Sequence, residues 1–310
     1  MKWLQIILIG ILYLSACTKR QVDPIPVSVE KPALEIDSSE QALLYEVIVQ
    51  PVILDQYFQY LDSLINKYDT LLKYKIDEHI LIHTNDWVID RLQNTDYYRS
   101  AAQGEFIYDN RQLTILHPGD TLFIPDSLMT REICHDRDQT VIDVNIPEFK
   151  LRIIEGGTVK HSMLVRVGRN ERKYLALAGR EVDLRTAVGE GYIYRIERDP
   201  IFINPSNGKR YYTTKRDDGQ RTRMPQLPWI EPILDGIRYG HLIHPTSNPE
   251  TLGKAYSNGC VGLGEADTWL LYYHAPVGTK VVFRYDLEVV DAQQDTIRLK
   301  NIYGKRFSRK

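Results

Sequence analysis

The sequence predicts a multidomain chain: a mainly-β domain built as a β-sandwich with one amphipathic helix, preceded by a helical segment and a small α+β module. Three patterns carry this expectation. From Thr140 onward, short β-branched and aromatic runs alternate with glycine turns. Before that, Phe58, Leu61, Ile65, Tyr68 and Leu72 form a stripe at helical spacing, and the stretch between the two regions mixes both periods around a Pro118-Gly119 turn. Composition sets the outer limits. With 310 residues, 43% apolar and 26% charged, the chain is too long for one small module and too ordinary to be disordered. The 39 Lys+Arg against 41 Asp+Glu leave a formal charge of -2, without the basic field that nucleic-acid binding requires. Three cysteines cannot build a disulfide scaffold, so each needs its own explanation.

The N-terminus opens Met1, Lys2, then runs almost without interruption through apolar residues from Trp3 to Leu14. That run falls short of the ~18 residues a bilayer-spanning helix needs, so it reads as a signal peptide. Its end, Leu14-Ser15-Ala16-Cys17, resembles the lipobox of bacterial lipoproteins. The resemblance implies a signal peptide over 1–16, lipidation of Cys17 and a membrane tether facing the cell-envelope space. Thr18, standing where a retained lipoprotein has Asp, points to the outer membrane and the periplasm. Residues 17–37, with Pro24, Pro26 and Pro32, read as a flexible tether.

Residues 38–77 read as helical, with Ser38 and Ser39 as N-caps and Pro51 dividing the region into two helices packed on a neighbouring domain. Over 78–127 the pattern suggests a strand at His79–His83, two short helical stretches and a closing strand at Thr121–Pro125. Its last phrase, Leu116-His117-Pro118-Gly119-Asp120-Thr121-Leu122-Phe123-Ile124-Pro125, resembles the end of a LysM module. The start departs from that family, with Thr84-Asn85-Asp86-Trp87 where Gly-Asp-Thr and an apolar residue are usual. The resemblance implies binding of N-acetylglucosamine-containing glycans. Ser127 to Asp138 is polar and reads as a linker; it contains Cys134, which has no evident partner.

The expected catalytic domain spans 139–290, with 291–310 as a C-terminal tail. Its strands include Val141–Val144, Phe149–Ile154, Ser162–Gly168, Tyr192–Ile196 and Lys280–Tyr285, and its helix runs from Glu265 to Tyr273. Between them lie His241-Leu242-Ile243-His244-Pro245 and Tyr256-Ser257-Asn258-Gly259-Cys260-Val261-Gly262. A cysteine serves as a nucleophile once a nearby base takes its proton, and His244 is the candidate. Gly259 allows a tight turn whose N-H groups would hold an oxyanion.

This arrangement resembles the L,D-transpeptidase catalytic domain of the YkuD family, which has a His, a spacer, then Ser/Thr-His-Gly-Cys. Here 15 residues separate His244 from Cys260, and Ser257, Gly259 and Cys260 match. Asn258 stands in place of the second His, and Gly262 in place of an Arg or Asn. The resemblance implies Cys260 as nucleophile on peptidoglycan tetrapeptide stems and His244 as general base and acid. The Pro245 backbone carbonyl would orient His244, Gly259 would donate its backbone N-H to the oxyanion, and Ser257 and Asn258 would support the loop. No cofactor is implied. The acceptor is an amine of a second stem, an amine of a protein, or water, the last giving an L,D-carboxypeptidase. The basic segment Lys209–Arg223 falls where the family has a lid. Two other readings remain open at this point: a non-catalytic peptidoglycan-binding scaffold, and a zinc site at His241, His244, Cys260 and His274.

Overall fold

Two short strands, β1 (Leu44–Val47) and β2 (Val52–Ile53), flank Pro51 and lead into helix α1 (Leu54–Asp69). The computed structural model describes residues 44–290 and 293–304, so the signal peptide, Cys17, the tether and Ser38 and Ser39 lie outside the described residues. Pro51 therefore does not divide two helices. It biases the residue before it toward extended backbone, and the chain ahead of it finds its hydrogen bonds in a strand. α1 buries Leu54, Tyr57, Phe58, Leu61, Leu64 and Tyr68 along one face.

Next come α2 (Glu78–Thr84), α3 (Trp87–Gln93) and α4 (Tyr97–Ala102), then β3 (Thr114–Leu116) and β4 (Thr121–Ile124). The expected strand at His79–His83 is thus the interior of α2. Asp77 starts that helix by accepting from the Ile80 N-H at 2.8 Å, a cap that overrides the strand-like composition. β4 pairs antiparallel with β1, and β3 with β2. The expected linker is also a helix, α5 (Ser127–Asp138), capped by Asp126 on the Met129 N-H. It buries only Thr130, which explains why it shows no apolar period.

The segments 38–77 and 78–127 share one core rather than meeting at a boundary. Leu54, Leu61, Ile80, Leu81, Leu92, Leu116 and Leu122 pack together, and Leu227, Trp269, Tyr272 and Tyr273 from the second half join them. The described residues fall in one compact unit.

The second half runs β5 (Thr140–Asn145), β6 (Lys150–Glu155), β7 (Thr158–Leu164), β8 (Val167–Gly168), β9 (Arg172–Leu175), β10 (Arg180–Asp183) and β11 (Gly189–Glu197). It continues with β12 (Thr213–Lys215), β13 (Arg221–Arg223), β14 (Trp229–Leu234), β15 (Ile243–Pro245), β16 (Ala255–Ser257) and β17 (Val261–Leu263). Helix α6 (Glu265–His274), β18 (Lys280–Arg284), β19 (Glu288–Val290) and β20 (Thr296–Arg298) complete it.

Eight of these strands form one sheet in the order β17-β15-β14-β11-β18-β5-β6-β7. The expected sandwich is instead a single sheet curled into a near-barrel, because Arg166, just past β7, pairs back onto Gly262 of β17. Its backbone N-H and C=O both bond Gly262, each at 2.9 Å. Ile142, Val144, Leu151, Ile153, Val281 and Phe283 fill the interior. The expected tail is also part of the fold: Tyr303 is 3% exposed and donates from its hydroxyl to the Gly168 carbonyl at 2.6 Å.

α6 is held by both halves. Its N-cap, Gly264, has no side chain to offer, and the first-turn N-H of Ala266 is taken by Asp96 from the front half at 2.9 Å. Beside it, Glu265 forms a buried ion pair with Arg216, which sits in the turn between β12 and β13.

Candidate active site

β15 and β17 lie parallel, with Ile243 opposite Val261, His244 opposite Gly262 and Pro245 opposite Leu263. This pairing brings the histidine strand alongside the residues that follow the cysteine. The Leu242 N-H points at Cys260 Sγ, 3.4 Å away. His244 Nδ1 lies 2.7 Å from the Pro245 carbonyl oxygen. A carbonyl only accepts, so Nδ1 carries the proton and Nε2 keeps its lone pair. Burial, helped by the Arg166 charge, lowers the His244 pKa to about 4. Burial pushes the Cys260 thiol up, against the Leu242 N-H and Arg166, which pull it down. Both groups therefore rest neutral at pH 7.

The cysteine loop is fixed from within. Ser257 Oγ donates to the Cys260 carbonyl at 2.6 Å and receives the Gly259 N-H at 3.2 Å. The Gly259 N-H is thereby committed to the loop, which corrects its expected role as oxyanion donor. The Gly259 carbonyl accepts from Thr186 Oγ1 at 2.9 Å. Since the two ends of a trans peptide point in opposite directions, the Cys260 N-H faces away from Thr186. Gly259 itself has φ +114°, and a Cβ there would come within 2.5 Å of His241 Nε2, so only glycine fits. Asn258 turns outward and accepts from Arg169 at 2.7 Å.

His241 packs beneath this loop, stacked on Tyr239, with Nδ1 3.3 Å from the Ala187 N-H. Burial brings its pKa down to about 4. His274 is elsewhere: its Nδ1 is 2.7 Å from Glu155, and its ring meets His83 and His161. The four residues of the zinc reading are therefore not brought together, and among the described residues no group of three or more His, Cys, Asp or Glu could hold a metal.

Sequence reasoning missed several neighbours. The Trp229 ring centroid lies 5.4 Å from that of His244, with its buried Nε1 unpartnered among the described residues. Thr186 braces the loop, and Arg166 lies across Gly262. The segment Lys209–Arg223 contains the β12–β13 hairpin, and two of its basic residues are held in ion pairs, Arg216 with Glu265 and Arg223 with Asp109 at 2.7 Å. The hairpin is docked on the front half, where Tyr98 Oη donates to the Ser247 carbonyl at 3.0 Å and receives the Asp217 N-H at 2.9 Å.

A partly buried thiol and a neutral imidazole at the closing edge of a curled sheet are groups of the kind a thiol nucleophile and its base require. Residues 139–283, just under half of the chain, match the model of YkuD, the L,D-transpeptidase catalytic domain. A probable L,D-transpeptidase, ErfK/SrfK of Salmonella typhimurium, is 29% identical over 166 residues, 53% of this chain and 48% of the relative. The chain thus spans about half the length of the curated relative it matches. Among solved structures, an L,D-transpeptidase from Xylanimonas cellulosilytica aligns with TM-score 0.35 and 16% identity, over 67% of this chain and 94% of that one. L,D-transpeptidase 3 from Mycobacterium tuberculosis aligns with TM-score 0.32 and 19% identity, over 47% and 61%.

Proposed function

We propose that the chain is an envelope-anchored cysteine L,D-transpeptidase acting on peptidoglycan tetrapeptide stems. The observation that carries this is the His244 Nδ1 bond to the Pro245 carbonyl, which leaves Nε2 as a base on the strand paired with the Cys260 segment. His244 Nε2 takes the thiol proton as Sγ attacks the carbonyl of the third stem residue. The Cys260 N-H, turned away from Thr186, is our assignment for an oxyanion donor. Collapse breaks the bond to the terminal D-alanine, whose amine leaves with the proton held by His244, and a Cys260 thioester remains. An amine from a second stem resolves it into a 3-3 cross-link, a protein amine into a protein attachment, and water into a shortened stem.

Incubating the mature protein with tetrapeptide-bearing muropeptides and following masses tests this. Dimers with loss of D-alanine are expected. Shortened tripeptides alone would make the enzyme an L,D-carboxypeptidase, and no Cys260-dependent change would leave a non-catalytic scaffold.

The anchoring part of the reading rests on the lipobox-like Leu14–Cys17, with the body tethered by lipid to the outer membrane and facing the periplasm. Among the described residues no helix is long and apolar enough to cross a membrane. The front half, with β1 and β4 paired around its helices and a glycine turn at Gly119 before β4, supports a LysM-like glycan-binding role. Pull-down on purified glycan strands stripped of stem peptides tests it.

A further inference from the structure

The pairing that nearly closes the barrel sets three residues side by side: His244 on β15, Gly262 on β17 and Arg166 beyond β7. Directly paired residues project to the same face of a sheet. The middle one has no side chain, and the Arg166 side chain fills the vacancy. A Cβ on Gly262 would lie 2.5 Å from Arg166 Nε, 2.7 Å from Cγ and 3.0 Å from Cδ. Gly262 has no unusual φ, so its want of a side chain is a matter of space for the arginine.

The guanidinium held there has little to do within the fold. Its Nε is buried without a partner, and one terminal nitrogen reaches Thr251 Oγ1 at 3.2 Å. No acidic side chain among the described residues forms an ion pair with it. Asp217, which its charge reaches, is already held by Asn248 Nδ2 and the Glu250 N-H, each at 2.8 Å. The same charge reaches Cys260, His244, Tyr211 and Tyr256. A largely buried cation is costly without an anion, and the buried Arg216 and the partly buried Arg152 have carboxylates.

We propose that Arg166 is the carboxylate site of the active centre, reading the free C-terminal carboxylate of the donor peptide and so restricting the enzyme to the last peptide bond of a stem. This rests on the transpeptidase reading. In a tetrapeptide stem the terminal carboxylate is three covalent bonds from the carbonyl that Cys260 attacks, so a guanidinium over Gly262, two residues from Cys260, lies within its reach. An internal peptide bond offers no charge at that point.

The test is binding to the full mature chain carrying Cys260→Ala, titrated by calorimetry with a tetrapeptide ending in a carboxylate and with its C-terminal carboxamide. The acid should bind at least ~10-fold more tightly, the scale of a charge-assisted pair. Adding Arg166→Met should bring the two within ~2-fold, and Gly262→Ala, which displaces the guanidinium without removing it, should erode the preference too. Arg166→Lys should keep part of it, and thermal melting checks that each variant folds. Equal binding in the Cys260→Ala protein, or selectivity that survives Arg166→Met, would overturn the proposal. Turnover by the protein with Cys260 intact reports on the transpeptidase reading separately. Acid-selective binding without D-alanine release leaves the carboxylate site standing and removes the chemistry; release without selectivity does the reverse. With active enzyme, loss of Arg166 should raise KM for the acid several-fold more than KM for the amide, whereas a merely structural role would lower both activities alike.

Discussion

Arg216→Met is expected to be among the most damaging single changes outside the catalytic residues. Arg216 and Glu265 are 3% and 2% exposed at their side chains, and their ion pair joins the β12–β13 hairpin to the first turn of α6. Removing the guanidinium leaves a buried carboxylate whose remaining partner is the Tyr97 N-H at 3.2 Å. Such a loss costs about 3–5 kcal/mol. The bond from Arg216 Nε to Thr222 Oγ1 at 2.8 Å also goes, as does the guanidinium packed 4.5 Å from the Tyr97 ring centre, adding about 1 kcal/mol. Together they predict a loss of about 5 kcal/mol, or a fall in melting temperature of roughly 10 °C. The loss should also grow with pH. Burial already raises the Glu265 pKa, and Arg216 is the chief influence lowering it. Without Arg216 the folded state holds a proton that the unfolded state gives up near ~4.3, so stability declines as pH rises above that value. Urea titration followed by tryptophan fluorescence at pH 5 and pH 8 measures both effects, since Trp269 lies in α6 and is fully buried. Glu265→Gln placed in the Arg216→Met background should restore part of the loss. A cost below ~1 kcal/mol, or a second substitution that simply adds to the first, would refute the reasoning.

Three further outcomes follow from the geometry. Gly259→Ala combines a left-handed φ with a Cβ 2.5 Å from His241, and should cost about 2–4 kcal/mol by thermal melting while slowing D-alanine release. His79, His241, His244 and His274 are each lowered to about 4, by burial first. Their unfolded counterparts take up protons below ~6.5, so stability should fall as pH drops from there toward 4, and D-alanine release should lose its acid limb with His244 near 4 rather than near ~6.5. Cys17→Ser should remove the lipid from the mature protein, read as a mass shift and as release from the membrane fraction.

The candidate site was legible because a His, a fixed spacer and Ser257-x-Gly259-Cys260 lie close in sequence, and so was α6, through its apolar spacing at Ala266, Trp269 and Tyr273. What escaped was set by less obvious signals. The run His79–His83 fits either period, and Asp77, three residues ahead of Ile80, was the cap that decides for helix. α5 buries too little to show a stripe. The Gly259 N-H was assigned outward because sequence does not show that Ser257 Oγ accepts it. Arg166 was beyond reach, since its neighbour Gly262 is 96 positions away and meets it only when the sheet curls round. The one trace it left was a glycine where a polar residue was expected.

The shared packing around α6 has a consequence for how the protein comes apart. Trp269, Tyr272 and Tyr273 are covered by the front half, Asp96 serves the helix end, and Tyr57 and Tyr273 join their hydroxyls at 2.6 Å. A fragment cut at the family boundary, residue 139, would present that aromatic face to water and seek another chain to cover it. The two halves should therefore melt in a single calorimetric transition.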